Sequence, residues 1–379
     1  MRKFFDTYLR ELSACVRDLG VIVFFLLVPI GYPMLYAYIY SGEVVRNIPI
    51  AAVDLSNSCN SRTYLQRTDA SPELSIQYHC TDMLQARKLM AQEKIRGIIF
   101  IPPQFDENLN NNRQAHISIY CNMASLFYYK ALLSVCTEVS LDMNKDIQIK
   151  RISALSAQQA NTYTSPLAFE AVGLANPSAG FANFVIPAIL ILIIQQTLLL
   201  GVGVRMGTEH EKRAAQTNWT LTTLIARSSA YITIYIPVSA FLLCVIPAIF
   251  GLYHLSRPLT LSLFMIPYLI SCSHLAISIG SLIRKRESPM LIFVFTSVPL
   301  LFLSGISWPG SSIPLFWKIF SYIFPSTAAI NGFVRINGSG ATLSDVAFEY
   351  STLWIQAIIY FVVSMIATKV YRNFRMVKR

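Results

Sequence analysis

The stretch that decides the fold is Phe181 to Val204, FANFVIPAILILIIQQTLLLGVGV. It contains no charged residue, and a helix of about 20 mostly apolar residues is long enough to cross the hydrocarbon core of a bilayer. Because unpaired backbone groups are costly in lipid, a run of this kind is expected to be helical. The sequence therefore predicts a membrane-spanning helix here.

Five other stretches have the same character. They are Leu19 to Tyr40, Ser229 to Tyr253, Leu259 to Ile283, Pro289 to Ile306 and Tyr350 to Val370. The first ends in a cluster of tyrosines with no small-residue cleavage site after it, which favours a retained helix over the alternative of a cleaved signal peptide. Prolines inside the later stretches indicate kinks, which spanning helices tolerate. We predict six transmembrane helices.

The composition agrees with this interpretation. Of 379 residues, 54% are apolar and only 13% are charged, whereas a soluble domain is about 25% charged. This balance argues against a disordered chain, a coiled coil and an ordinary cytosolic enzyme.

The segment 308–340 lies between the fifth and sixth spans and is apolar, but proline and glycine interrupt it repeatedly. Its longest uninterrupted piece, Leu315 to Phe324, is too short to cross a bilayer. We predict an outer re-entrant segment of broken or interfacial helices, and the alternative is two broken spanning helices.

The orientation follows from the distribution of lysine and arginine. The formal net charge is +11. The segments that six spans place in the cytoplasm carry sixteen Lys and Arg against six Asp and Glu. This is the positive-inside bias of a membrane protein with both termini in the cytoplasm, so the charge does not indicate a nucleic-acid partner. Residues 1–18 are predicted to be a cytoplasmic amphipathic helix in contact with membrane lipid, because Phe5, Leu9, Leu12 and Val16 recur at helical spacing.

Residues 41–178 form a large insert between the first span (19–40) and the second, and they lie outside the cytoplasmic membrane in that orientation. Strand-like runs at Ile48 to Leu55 and Gly97 to Ile101 alternate with helix-like runs such as Thr81 to Lys94. From Ala124 to about Ala160 the chain reads as one long helix. The alternation predicts an extracytoplasmic α/β domain inserted between helices 1 and 2 of a polytopic α-helical membrane protein.

Four of the seven cysteines fall in this insert, namely Cys59, Cys80, Cys121 and Cys136. An oxidising compartment permits disulfides. Four cysteines allow three pairings. We favour at least one bridge, with Cys59–Cys80 as the candidate, and four free buried thiols are the alternative. The chain has no C-x-x-C pair, and its five histidines are scattered, so no metal site is predicted.

Motifs for catalysis and nucleotide binding are absent from the sequence. No glycine is followed by lysine, so the chain has no P-loop, and no G-x-S-x-G or H-E-x-x-H occurs. We therefore predict no catalytic residues, no bound cofactor and no enzymatic activity on this chain. A polar trio, Gln195, Gln196 and Thr197, interrupts the second span; it is either helix–helix packing or part of a substrate path.

The order of these parts resembles that of the ABC-2 type transporter permeases, and three local stretches carry the resemblance. They are Asn176-Pro177 with Phe181 to Pro187; Gly207-Thr208-Glu209-His210-Glu211-Lys212-Arg213; and Leu303 to Pro309 followed by Ile313-Pro314 and Phe324-Pro325-Ser326-Thr327. Many members have a glutamate where this chain has His210, which leaves open which flanking acid, Glu209 or Glu211, meets the partner.

The resemblance implies the membrane subunit of an ABC exporter in a bacterial cytoplasmic (inner) membrane. Two permeases, identical or related, would pair with two separate ATPase subunits that bind ATP and magnesium. The membrane domain would be 179–379, with a coupling segment at 206–220 resting on the ATPase. Substrate would pass Gln195, Gln196, Thr197, Ser304 and Gly305. A periplasmic adaptor would join if the cell has an outer membrane. The alternative is a membrane scaffold or receptor that transports nothing and binds through its extracytoplasmic domain. Nothing in the sequence indicates the cargo.

Overall fold

The computed structural model describes residues 2–40, 45–111, 113–122, 126–151, 180–212, 220–308 and 310–376. The chain divides into two compact units. We call Val44–Val172 the insert unit, and Met1–Glu43 together with Gly173–Arg379 the membrane unit. Within the described residues, the helices are α1 (Arg2–Arg17), α2 (Leu19–Tyr40), α3 (Cys59–Asp69), α4 (Met83–Ala91), α5 (Phe105–Asn110), α6 (Leu126–Arg151), α7 (Phe181–Glu211), α8 (Leu221–Ile249), α9 (Pro258–Gly280), α10 (Ser288–Leu303), α11 (Leu315–Ser321), α12 (Pro325–Ser339) and α13 (Ala347–Met376).

The insert unit is built on a four-stranded sheet. Its strands are β1 (Ile48–Asp54), β2 (Leu74–His79), β3 (Gly97–Ile101) and β4 (Ser118–Cys121), in the order β2-β1-β3-β4. β1 runs parallel to β2 and to β3, while β4 is antiparallel to β3. Parallel neighbours need crossover connections, and α3 and α4 supply them. The predicted α/β alternation of this segment is therefore observed.

The two faces of the sheet are covered by different helices. Alternate residues of β1 point to opposite faces: Ile50 packs in the same core as Tyr64 of α3 and Leu132 of α6, while Val53 shares a smaller core with Ala86 of α4. The predicted strands and helices of the insert agree with those observed to within a few residues. Of the long predicted helix, the structure shows α6 as far as Arg151, and the remainder to residue 160 lies outside the described residues.

The membrane unit is organised around α7. The apolar stretch of α7 is buried in full, and α2, α8, α9, α10 and α12 all pack against it. The predicted span Phe181 to Val204 therefore lies in the central helix of the unit. α9 also packs along α13. Both α2 and α8 contain one π-helical turn, at Val23–Leu27 and Phe241–Val245.

Five helices in the described residues are long and apolar enough to cross a membrane: α2, α7, α8, α9 and the segment Ala347–Lys369 of α13. The remaining predicted span, Pro289 to Ile306, is the fifth in chain order and corresponds to the shorter helix α10 of 16 residues. Such a helix is about 24 Å long against about 30 Å of hydrocarbon. α10 ends early because Gly305 adopts a φ of +88°, which turns the chain out of the helix.

Two helices begin or end away from their predicted positions, on the same side of the unit. α7 continues past Val204 as far as Glu211. α8 begins at Leu221, where the hydroxyl of Thr220 accepts a hydrogen bond from the backbone N–H of Thr223. Arg227, which precedes the predicted span Ser229 to Tyr253, therefore lies within the helix. The hydropathy pattern placed the helix start at Ser229, but capping chemistry sets it eight residues earlier.

The segment 308–340 consists of short helices, as predicted. A 3₁₀ turn at Gly310–Ser312 leads to α11 and then to α12, which has 15 residues. α12 continues through Gly332, where a Cβ atom would lie 2.4 Å from Cζ of Phe264 on α9. Gly332 therefore permits close packing of α12 on α9 rather than interrupting the helix.

Candidate functional site

Four charged side chains and a tyrosine meet where α1 packs against α7 and α8. They are Glu11 of α1, Arg205 and Glu209 of α7, and Arg227 and Tyr231 of α8. We call these five residues the charge cluster. In both α7 and α8 the contributing residues are four apart, so they lie on one face of their helix.

Arg227 lies at the centre of the charge cluster and is 0% exposed. Its Nη1 and Nη2 donate to Oε2 and Oε1 of Glu209 at 2.9 and 3.0 Å, which is a two-pronged pairing of guanidinium and carboxylate. Its Nε lies 3.6 Å from Oε2 of Glu11. One buried arginine therefore joins α8 to both α7 and α1.

Glu11 is 1% exposed, although it belongs to a helix with many exposed charges. Its Oε1 lies 3.1 Å from Nε of Arg205 and accepts a hydrogen bond of 2.8 Å from the hydroxyl of Tyr231. Arg205 also contacts Glu209, with Nη2 2.7 Å from Oε1. Buried charges are tolerated when they are paired and hydrogen-bonded, and here two carboxylates balance two guanidinium groups.

The chemistry of this arrangement is that of a joint between helices. Both carboxylates are occupied by arginine, so neither is free to act as a general base toward a substrate. Removing one partner would leave a buried charge uncompensated, which costs about 3–5 kcal/mol. The charge cluster therefore couples α1, α7 and α8 strongly at this end of the membrane unit. Cys15, buried on the same helix as Glu11, is a packing residue, and desolvation raises the pKa of its thiol.

The predicted coupling residues, Gly207 to Arg213, divide into buried and exposed groups. Gly207 and Thr208 are buried, and the side chain of Glu209 is 11% exposed within the charge cluster. Glu211 and Lys212 are exposed. The Nδ1 of half-buried His210 donates to the backbone oxygen of Ile283. These residues form the helical end of α7, while Arg213 lies outside the described residues.

The end of α7 is held against residues 283–286, which connect α9 to α10. The Oε1 of Glu211 accepts the backbone N–H of Arg286 at 2.9 Å. A Cβ atom at Gly207 would lie 2.9 Å from Cα of Arg286, so glycine is needed for this close approach. The side chain of Arg286 in turn contacts Asp18, which caps the start of α2. The end of α7 is thus linked to α1, α2, α8 and the α9–α10 connection.

The predicted substrate-path residues are all buried or within a turn. Oε1 of Gln195 accepts the backbone N–H of Ser326 at the start of α12, at 2.7 Å, and Oγ1 of Thr197 accepts the hydroxyl of Tyr235 on α8, at 3.0 Å. Gln196 is 7% exposed, and neither atom of its amide has a hydrogen-bond partner among the described residues.

Ser304 and Gly305 have a different setting from the polar trio of α7, because they end α10. The hydroxyl of Ser304 donates to the backbone oxygen of Leu301 at 2.6 Å. Gly305 supplies the left-handed turn that follows the helix. In the structure, Ser304 and Gly305 terminate α10.

The sequence reasoning missed Glu11, Arg205, Arg227 and Tyr231 as a group. Glu11 belongs to the amphipathic helix predicted for residues 1–18, and the two arginines enter the sequence interpretation only through the count of Lys and Arg. The sequence does contain a signal for this grouping. Acidic residues are scarce in the predicted cytoplasmic segments, which are rich in Lys and Arg, and Arg205 and Arg227 lie on either side of the connection between α7 and α8.

The cysteines of the insert unit are free thiols in the structure. Cys59 is exposed at the start of α3, whereas Cys80 is buried in the smaller core, so the predicted Cys59–Cys80 bridge is not formed. Burial raises the pKa of Cys136 to about 11. Within the described ranges, no three His, Cys, Asp or Glu side chains are grouped so that they could hold a metal ion.

Comparison with known proteins gives one result for the chain as a whole. The family model described as ABC-2 family transporter protein matches residues 19–366. A search of curated proteins found no match. The matched range runs from the start of α2 into α13, and so includes α7, α8 and most of the charge cluster. The chain belongs to the ABC-2 family of transporter membrane proteins.

Proposed function

We propose that this chain is the permease subunit of an ATP-driven exporter and works with separate ATPase subunits. The observation that carries the proposal is the end of α7. Glu211 and Lys212 are exposed there, while Glu209, two residues earlier, is tied into the buried charge cluster. A force applied at the exposed end is therefore transmitted to α1 and α8.

This arrangement assigns different roles to the two candidate acids. Glu209 is occupied by Arg205 and Arg227, so it serves as the internal link. Glu211 and Lys212 are the residues that the ATPase contacts. Closure of two ATPases on ATP would shift the end of α7, and its packing against α9, α10 and α12 would carry the shift through the membrane unit between two arrangements.

The same end of the unit is proposed to face the cytoplasm of a bacterial inner membrane. Arg10, Arg17, Arg284, Lys285 and Lys212 are all exposed near it, which is the positive-inside pattern. The insert unit then lies outside, and both termini lie inside. The test uses a chain in which the exposed Cys59 and Cys244 are replaced by serine. In that chain, a cysteine placed at Ser71 should react with a membrane-impermeant maleimide added to intact cells, and one placed at Glu287 should not; the reverse pattern would overturn the orientation.

The substrate is proposed to pass between two permeases, identical or related. α10 is suited to line the boundary between them, because Leu291, Phe295 and Val298 are more than half exposed. Of the polar trio in α7, Gln195 and Thr197 are used in packing their own chain. Gln196 is the member with both amide atoms unpartnered among the described residues, and we propose that it faces the substrate or a second permease.

Co-purification and ATP hydrolysis test the proposal. The full chain is purified in detergent from cells that produce it naturally, and the ATPases that co-purify are identified by mass spectrometry. The Glu211→Ala/Lys212→Ala variant should weaken ATPase association about tenfold, since each exposed charge contributes about 0.7 kcal/mol. The control is Asp142→Ala/Lys145→Ala, which removes two exposed charges of α6 in the insert unit. If no ATPase co-purifies, or if both variants lose it equally, the coupling proposal fails.

A further inference from the structure

A basic cavity lies at the junction of α1, the start of α2, the end of α7 and the α9–α10 connection. Its volume is about 800 Å³. Its lining includes the apolar residue Leu19 and four basic residues, Arg10, Arg17, Lys212 and Arg286. The cavity is adjacent to the charge cluster, since Arg205 and Glu209 contribute to its inner wall.

The positive charge of the cavity is only partly neutralised. Arg286 pairs with Asp18 at 2.7 Å, and Arg205 is occupied by the acids of the charge cluster. Arg10, Arg17 and Lys212 are exposed and have no ion-pair partner among the described residues. Three cations therefore converge on one cleft without a carboxylate to balance them, which is the local electrostatics of an anion site.

The cavity lies beside the first residues of the apolar helix α2. Asp18 caps α2, accepting the backbone N–H of Gly20 at 3.0 Å, and the apolar spanning run begins immediately afterwards at Leu19, which is 75% exposed. The lining thus changes from guanidinium and ammonium groups to an exposed apolar side chain within a few residues. This change from charged to apolar lining matches an amphiphilic ligand whose phosphate contacts the cations and whose glycerol and acyl carbons contact Leu19.

We propose that this cavity binds the phosphate headgroup of an anionic phospholipid from the adjacent leaflet. The lipid bridges α1 to the end of α7 on the open side, as the charge cluster does on the buried side, and so fixes α1 in place. The proposal requires that the chain spans a membrane. It shares Lys212 with the proposed ATPase contact, but its test changes Arg10 and Arg17 in the purified chain without an ATPase, so the two proposals can fail separately.

Lipid titration by native mass spectrometry of the purified full chain in detergent tests this. The probes are dioleoylphosphatidylglycerol, which is anionic, dioleoylphosphatidylcholine, which carries a phosphate but no net charge, and soluble glycerol phosphate. The test variant is Arg10→Gln/Arg17→Gln. The control is Arg2→Gln/Lys3→Gln, which removes two exposed charges from the same helix outside the cavity lining.

The expected result is tighter binding of phosphatidylglycerol than of phosphatidylcholine. The test variant should weaken phosphatidylglycerol binding about 25-fold, at about fivefold per cation, and the control less than about twofold. Equal losses in the two variants would show a diffuse surface effect and overturn the proposal. Equal binding of the two lipids would overturn it as well. Glycerol phosphate binding as tightly as phosphatidylglycerol would show a site for free phosphate and contradict the lipid assignment.

Discussion

Replacing Arg227 with glutamine tests the buried charge cluster most sharply. Arg227 is 0% exposed and makes two hydrogen bonds to Glu209, of 2.9 and 3.0 Å, besides its contact with Glu11. The Arg227→Gln variant leaves two buried carboxylates facing one arginine, Arg205. Because an uncompensated buried charge costs about 3–5 kcal/mol, we expect a large loss of stability.

The size of the effect can be compared with that of an ion pair in the same unit whose cation is exposed to solvent. Arg335 lies 3.2 Å from Glu349; its side chain is 48% exposed, while that of Glu349 is 12% exposed. Because solvent screens the guanidinium group, Arg335→Gln should cost less than Arg227→Gln, about 1 kcal/mol. With about 2–4 °C per kcal/mol, Arg227→Gln should lower the midpoint of thermal unfolding by about 10 °C, and Arg335→Gln by about 3 °C. The assay is thermal unfolding of the purified chain in detergent, followed by intrinsic fluorescence.

A double variant distinguishes lost charge balance from lost packing. Arg227→Gln/Glu209→Gln restores neutrality, because Arg205 then faces Glu11 alone. The double variant should recover at least about 1 kcal/mol relative to the sum of the two single changes. If Arg227→Gln destabilises no more than Arg335→Gln, or if the two changes are simply additive, the cluster does not join the helices as described.

Two further predictions concern packing and thiol chemistry. A Cβ atom at Gly201 would lie 2.1 Å from Cε1 of Phe25, so Gly201→Ala should lower the free energy of unfolding by about 1–3 kcal/mol. Gly31 has open space around it, so Gly31→Ala should stabilise its helix slightly. Thermal unfolding compares the two variants, and equal changes in stability would contradict the packing of α2 on α7. Maleimide should label exposed Cys59 rapidly at pH 8, and buried Cys136 should stay unlabelled, because a pKa of about 11 leaves about one thiol in a thousand ionised. Peptide mass spectrometry reads out both, and Cys59 that reacts only after reduction would instead indicate a disulfide.

The sequence predicted those parts of the fold that a single local hydropathy pattern specifies. Phe181 to Val204 is uncharged and mostly apolar, so hydropathy predicts a spanning helix there. Its full burial at the centre of the unit is known only from the structure. In the insert unit, Ile48 to Leu55 and Gly97 to Ile101 are short apolar runs bounded by polar residues, and both are strands.

The parts that could not be predicted depend on tertiary contacts. Helix ends at the membrane boundary are set by caps such as Thr220 and by turns such as Gly305, which hydropathy does not detect. Glu11 looks like an ordinary polar residue of an amphipathic helix. Its burial depends on two arginines about 200 residues away in the chain, and no local pattern specifies that pairing.

Site-specific photo-crosslinking at Lys212 tests whether the exposed end of α7 contacts an ATPase subunit. A photoreactive amino acid replaces Lys212 at the exposed end of α7, and a control chain carries it at exposed Arg257, before α9. After illumination of intact cells, the crosslinked proteins are identified by mass spectrometry. The account predicts a P-loop ATPase crosslinked from Lys212 and not from Arg257; failure to capture such an ATPase at Lys212, or equal capture at both positions, would contradict it.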